Sequence, residues 1–249
     1  MPVAVDLVVP IKELRRAKSR LVGATVDLVP ARDRSAAHAG LALALAADTL
    51  AAVLASAVRR VAVVTADPRA AALVIPVDGG SVRRAVVVDD PGAGLNAAVR
   101  AGVDHLRRVT DGADEVIGAA PVAALLGDLP ALRPAELDDA LARAVAVLAD
   151  GAPAAFVADH TGEGTALLVL PRPGHAGPRF APHFGVHSAR AHAAAGAVAL
   201  TGAWPGLRHD VDVPADLERV RALGVGPATR AWPGVPVPVA PLAGCRAGS

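Results

Sequence analysis

PVAALLGDLP, residues Pro121 to Pro130, decides how the chain folds. Its first six residues are apolar throughout, without the polar alternation of a sheet that faces water on one side. They read as a strand, Pro121 to Leu126, buried on both faces. Gly127-Asp128-Leu129-Pro130 then closes it with turn residues and a carboxylate. Similar runs stand at Val3 to Val9, Val61 to Thr65 and Ala85 to Val88. Helical patterns separate them: Arg34 to Ala57, a short helix after the Asp67-Pro68 turn, and Leu95 to Arg108. Another, Pro134 to Leu148, has Glu136, Asp138 and Asp139 early, suited to its dipole. Strands alternating with helices imply right-handed crossovers, so the prediction is an α/β fold. Its sheet is mixed but mostly parallel, with helices on both faces.

Beyond residue 150 the pattern loosens. Strands are predicted at Ala154 to Ala158, Ala166 to Leu170 and Val198 to Leu200, with helices from Ser188 to Ala195 and from Pro214 through Leu223. There is no repeat and no second core, so residues 1–225 are expected to form one domain. The Pro/Gly-rich tail, 226–249, has no periodicity and is expected to be extended or disordered.

Composition narrows the function. The chain has 249 residues, 53% hydrophobic, with a net charge of +1 and 2% aromatics. A nucleic-acid surface needs a basic excess with aromatics for stacking, so that class is excluded. The single cysteine, Cys245, permits neither a disulfide framework nor a cysteine metal cluster. The eight histidines lack ligand spacing; His187 and His192, five apart, share a helical face poorly. No signal peptide is visible, and Leu41 to Ala55, interrupted by Asp48, reads as a buried helix and not a membrane span. A cytoplasmic protein without a membrane partner is expected.

Three features carry candidate chemistry. Asp128 ends an apolar strand, where ligands bind in open α/β sheets, and is a candidate magnesium ligand or a loop tie. Asp210 and Asp212, at i and i+2 in extended backbone, point the same way and can meet one cation, although Asp212 can instead cap the helix at Pro214. The third is the glycine-rich loop Gly162 to Thr165 with Phe184-Gly185 and Ser188, which offers backbone N–H groups and hydroxyls to an anion. Ser188 can also cap its own helix. Asn96, at a helix start, can read a base or ribose, or cap. A fourth stretch, VVPIKELRRAKSRL (Val8 to Leu21), holds both lysines of a chain with 25 Lys plus Arg. It is either a solvated basic turn or a loop that receives phosphate after the first strand.

These blocks occur in a recognisable order. VVPIKELRRAKSRL, GLNAA (Gly94 to Ala98), GDLPAL (Gly127 to Leu132), GEGTALL (Gly162 to Leu168), FGVHS (Phe184 to Ser188) and RHDVDVPADL (Arg208 to Leu217) resemble the guanylyltransferases of coenzyme F(420) biosynthesis. That family acts on 2-phospho-L-lactate or phosphoenolpyruvate, and the match runs from about residue 3 to about 228. The resemblance implies a GT-A-like nucleotidyltransferase domain that joins GTP to a phosphorylated three-carbon acid and releases pyrophosphate. It implies Mg²⁺ held by Asp128, Asp210 and Asp212, and acid binding by Thr165, Gly185 and Ser188. On that reading Lys18 lies against the GTP phosphates, acting with Asp128 and Asp212 in catalysis. Lys12 sits at the edge of the nucleotide site with Asn96. Gly127, where the family usually has Ala, and Ala166, often a second Thr, depart from the pattern.

The actinobacterium-like composition favours phosphoenolpyruvate as acceptor. The alternatives are a GT-A transferase with a sugar phosphate or molybdopterin acceptor, and a non-catalytic nucleotide-binding regulator. The three aspartates speak against the regulator. Oligomeric state is left open, a homodimer included.

Overall fold

In a computed structural model, residues 4–14, 34–74, 85–108, 120–173 and 181–232 are described. Seven strands form one sheet: β1 (Asp6–Pro10), β2 (Val61–Val64), β3 (Ala85–Val88), β4 (Val122–Leu125), β5 (Ala155–Ala158), β6 (Thr165–Leu170) and β7 (Val198–Ala199). Their order across the sheet is β3-β2-β1-β4-β6-β5-β7. β1 pairs in parallel with both β2 and β4, and β2 with β3. β6 is antiparallel to its two neighbours, β4 and β5. The expected mixed sheet is therefore observed, with the antiparallel strand set between two groups of parallel ones.

The helices are α1 (Arg34–Ala55), α2 (Pro68–Ala72), α3 (Leu95–Arg108), α4 (Pro134–Ala149), α5 (Ser188–Ala194), α6 (Pro205–Arg208), α7 (Pro214–Leu223) and α8 (Pro227–Ala231). Alternate residues of each strand face opposite sides, which divides the core into two layers. Leu7, Val9, Val61, Val63 and Leu125 pack with Leu50 and Val53 of α1 and Leu137 and Leu141 of α4. Val8, Ala62, Val64 and Ala124 pack on the other side with Val99, Val103 and Leu106 of α3. Gly102 allows that second layer to close: a β-carbon there would collide with the Val8 side chain. α1 is long and apolar enough to cross a membrane, but 78% of its apolar window is buried within the fold, as a core helix requires.

Two elements differ from the sequence reading. α6 was not expected; its orphan N–H groups at Gly206 and Leu207 donate to the Glu136 carboxylate of α4. Glu136 thus stabilises a neighbour's N-terminus besides its own. The proposed boundary at residue 225 also needs correction, because 226–232 are docked on the domain. The N–H groups of Ala228 and Thr229 donate to Asp48 of α1, and Trp232 is buried with Leu41, Leu45 and Val220. A carboxylate presented by α1 supplies the cap that the Pro/Gly-rich stretch lacks in itself. Residues 233–249 lie outside the described ones.

Candidate active site

The strand order places the site. From β1 the chain moves outward through β2 and β3, then returns to lay β4 on the other side of β1. Neighbouring strands whose connections leave in opposite directions open a crevice at their C-terminal ends, the usual ligand position in open α/β sheets. The loop after β1, with Lys12, and the turn after β4, with Asp128, flank that crevice.

Each flank is pinned. On the β1 side, the Leu14 N–H donates to Asp67 Oδ2 at 3.1 Å, and Asp67 also takes two bonds from the Arg69 guanidinium. Burial alone would raise the Asp67 pKa, but these hydrogen bonds and the Arg69 charge hold it below the ordinary value. Lys12 is exposed at the start of this loop. Lys18, with Arg15, Arg16 and Arg20, lies outside the described residues. On the β4 side, the Leu129 N–H donates to Thr49 Oγ1 at 2.9 Å, which itself donates to the Leu45 carbonyl on α1. Gly127 lets the two flanks approach: a β-carbon there would stand 3.2 Å from the Pro10 carbonyl oxygen and 3.1 Å from Ile11.

Asp210 and Asp212 come to the same place. One carboxylate oxygen each from Asp128, Asp210 and Asp212 lie within 4.8 Å of one another. Asp128 is half-buried, the Asp210 side chain is 13% exposed, and Asp212 is exposed. The loop they share is held by Asp216, whose Oδ2 accepts the N–H groups of Asp212 and Val213 at 3.0 and 2.9 Å. Val213 is the N-cap residue of α7, so Asp212 is not the cap; Asp216 reaches back from inside the helix instead. His160 stacks on His209 at 4.6 Å and comes within 3.7 Å of Asp210, closing the far side of the cluster.

Three carboxylates so close repel one another, and a divalent cation relieves that repulsion. Hard carboxylate oxygens are the donors that magnesium takes. In its octahedral shell neighbouring oxygens are about 2.9 Å apart and opposite ones about 4.2 Å. A set spread over 4.8 Å is nearly closed, and the exposed Asp212 side chain has room to turn inward.

The second half of the crevice is built on β6. Its antiparallel register with β4 puts Thr165 at the same sheet end as Asp128, and the Leu126 N–H donates to the Ala166 carbonyl. The preceding glycine-rich loop is organised by Asp159, which accepts from the Thr161 hydroxyl, the Thr161 N–H and the Gly164 N–H. The Ala189 N–H donates to the Glu163 carbonyl and ties this loop to α5. Thr165 and Ser188 are each only 2% exposed, while Gly185, with φ of +143°, has open space beside its α-carbon. His187, at φ of 55°, is left-handed and serves as the N-cap residue of α5. Ser188 is the first helical residue and not the cap.

Asn96 makes a two-way clasp: its amide nitrogen donates to the Phe184 carbonyl at 2.9 Å, and its oxygen accepts the Phe184 N–H at 2.8 Å. One N–H of the amide remains for any nucleotide contact. The clasp lies inside α3, not at its cap, and joins the two halves of the crevice. Sequence reasoning missed His192, which is fully buried and bonded to Thr165 Oγ1 through Nδ1 at 2.9 Å. Its five-residue spacing from His187 suits no shared ligand, and nothing in that spacing points to a partner on β6. Asp216, Thr49 and Asp67 were also missed as supports of the site.

No family model matches the chain. It is similar to the phosphoenolpyruvate guanylyltransferase of Geodermatophilus obscurus, 49% identical over 227 residues, with 91% of this chain and 92% of that protein covered. The enzyme of the same name from Salinispora arenicola is 44% identical, with 94% and 95% covered, and that of Streptomyces coelicolor 45%, with 90% and 93% covered. The chain belongs to the phosphoenolpyruvate guanylyltransferase family. A member of that family is a nucleotidyltransferase, which agrees with the carboxylate cluster at the switch point. The fold is similar to a crystal structure of a Mycobacterium sp. strain JC1 homologue of a Mycobacterium tuberculosis protein. That structure is 20% identical, with a TM-score of 0.51 and with 88% of this chain and 96% of that chain covered.

Proposed function

We propose that the enzyme transfers the GMP moiety of GTP to phosphoenolpyruvate, releasing pyrophosphate and forming enolpyruvoyl-2-diphospho-5'-guanosine, in cytoplasmic coenzyme F(420) biosynthesis. The observation that carries the reading is the Asp128, Asp210 and Asp212 cluster at the crevice between β1 and β4, in a chain of this family. The choice of phosphoenolpyruvate over 2-phospho-L-lactate is supported by the names of the relatives at 44–49% identity. The pathway rests on the resemblance of the sequence blocks.

The reaction needs positioning more than proton transfer. A phosphate oxygen of the acid attacks the α-phosphorus of GTP, a new P–O bond forms, and the bond to the β-phosphate oxygen breaks in line, its electron pair leaving on pyrophosphate. The nucleophile is already deprotonated at neutral pH, so no strong general base is required. Both reactants are polyanions, so their approach is opposed until cations offset the charge. Asp128, Asp210 and Asp212 would hold Mg²⁺, which neutralises charge on the transferring phosphoryl oxygens. Asp216 fixes the backbone that presents Asp210 and Asp212. Lys12 adds compact positive charge at the edge of the nucleotide site, and Lys18, outside the described residues, is assigned to the GTP phosphates from the sequence alone. Thr165, Gly185 and Ser188 receive the acid at the β6 side, the glycine leaving room for its phosphate to approach the backbone. Preorganised donors of this kind supply most of the rate in phosphoryl transfer.

Pyrophosphate release is the test. Enzyme with GTP and Mg²⁺ should release it with phosphoenolpyruvate and not in its absence. Release with 2-phospho-L-lactate alone would reassign the acceptor, and no release with either acid would sink the function.

A further inference from the structure

Outside the carboxylate cluster, one buried titratable side chain touches a residue of the acid site and has no part in the mechanism above. His192 of α5 is enclosed by Phe156 and Phe184, whose ring centroids lie 5.8 and 5.4 Å away, and by His183 at 6.1 Å. Both ring nitrogens are engaged. The His183 backbone N–H donates to Nε2 at 2.9 Å, and Nδ1 lies 2.9 Å from Thr165 Oγ1.

A nitrogen that accepts an N–H carries no proton, so the geometry assigns the tautomer. Nδ1 then bears the ring's hydrogen and donates it to the Thr165 oxygen. Burial, with the His183 charge adding to it, lowers the His192 pKa to about 4, so the ring is neutral at pH 7. Having accepted from His192, the Thr165 hydroxyl must send its own hydrogen elsewhere, and among the described residues it makes no second hydrogen bond. Thr165 opens β6 at the sheet end where β4 runs out toward Asp128.

We infer that His192 is a positioning residue: by donating to Thr165 Oγ1 it commits the threonine hydroxyl to act as a donor toward the phosphate or carboxylate of the acceptor acid. The inference rests on the function proposed above, and it adds a residue that never touches substrate. An anion accepts hydrogen bonds only, so a threonine free to rotate its hydroxyl between donor and acceptor roles would serve it less well. The dry, aromatic surroundings strengthen the His192–Thr165 bond by excluding competing water.

Three substitutions separate this role from packing. Glutamine at 192 places an amide near the old Nε2 position, keeping an acceptor for His183 but losing the donor to Thr165. Asparagine places an N–H near Nδ1 and keeps that donor. His192→Gln should raise the phosphoenolpyruvate KM roughly tenfold, the worth of a charge-assisted hydrogen bond, with the GTP KM within about twofold. His192→Asn should recover most of the loss even where its thermal midpoint is lower. Thr165→Val combined with His192→Gln should be no worse than Thr165→Val alone, because one acts through the other. Equal KM increases for both substrates, or full additivity in the double variant, overturn the inference. The nitrogen chemical shifts of His192 provide a readout that needs no turnover: a protonated Nε2 overturns the assignment. Wild-type enzyme that releases no pyrophosphate with either acid removes the acceptor from the inference, whereas the nitrogen shifts still decide whether His192 donates to Thr165.

Discussion

Asp212→Asn keeps the size of an exposed side chain and removes half of its ligand capacity. Turnover should fall at least about a hundredfold, as for other losses of transition-state charge stabilisation, while the circular dichroism spectrum stays unchanged. Normal rates at limiting Mg²⁺ would end the metal role. Asp216→Ala leaves all three ligands in place but releases the N–H groups of Asp212 and Val213. It should cost about 1–2 kcal/mol of stability, the usual value of a helix-capping carboxylate, and shift Mg²⁺ activation to higher concentration. His192 sets a pH dependence. Its pKa is lowered from 6.5 in the unfolded chain to about 4, so its contribution is complete above pH 6.5 and is lost as pH falls from 6.5 to 4. His192→Gln should flatten thermal stability across that window relative to wild type. Of these residues, Asp212 was legible because its i, i+2 spacing from Asp210 in extended backbone turns both carboxylates the same way, whereas Asp216, inside the next helix, was not. His192 was not, since its meaning depends on β6, 27 residues away, through a bond that no local pattern encodes.

At the level of elements, α3 crosses β1 in close contact at Gly102. Gly102→Ala forces a methyl group into Val8, a rigid β-branched residue of a central strand, and should destabilise the protein by about 1–3 kcal/mol, measured by chemical denaturation. The periodicity of α3 and α4 and the apolar run of β3 were readable because each signal is local and strong. The strand order was not. Apolar runs buried on both faces look alike, so nothing in VAVV or VAAL says which neighbour each will take. α6 and α8 escaped notice for a related reason. Short helices of four and five residues owe their existence to carboxylates on other helices, Glu136 and Asp48, and not to their own sequence. Asp48→Ala should accordingly release α8 and expose Trp232, seen as a red shift in tryptophan emission.

Across the whole molecule, ligands should stabilise the fold in proportion to their occupancy. GTP with Mg²⁺ at a hundred times its dissociation constant adds about 2.7 kcal/mol. That amounts to a rise of roughly 5–10 °C in thermal midpoint for a chain of this size. Asp210→Asn should remove the part of the rise that depends on Mg²⁺. The clasp between Asn96 and Phe184 gives this linkage a direction. It bonds α3 to the loop before α5, which on the proposed function border the nucleotide and the acid, so ordering either ligand's surroundings would lower the cost of ordering the other's. Substrate addition should then be synergistic: each reactant tightens the other by one shared factor, as thermodynamic reciprocity demands. Isothermal titration of GTP with and without the acid measures that factor. Asn96→Ala should bring it close to one, leaving an enzyme that binds its two reactants as strangers.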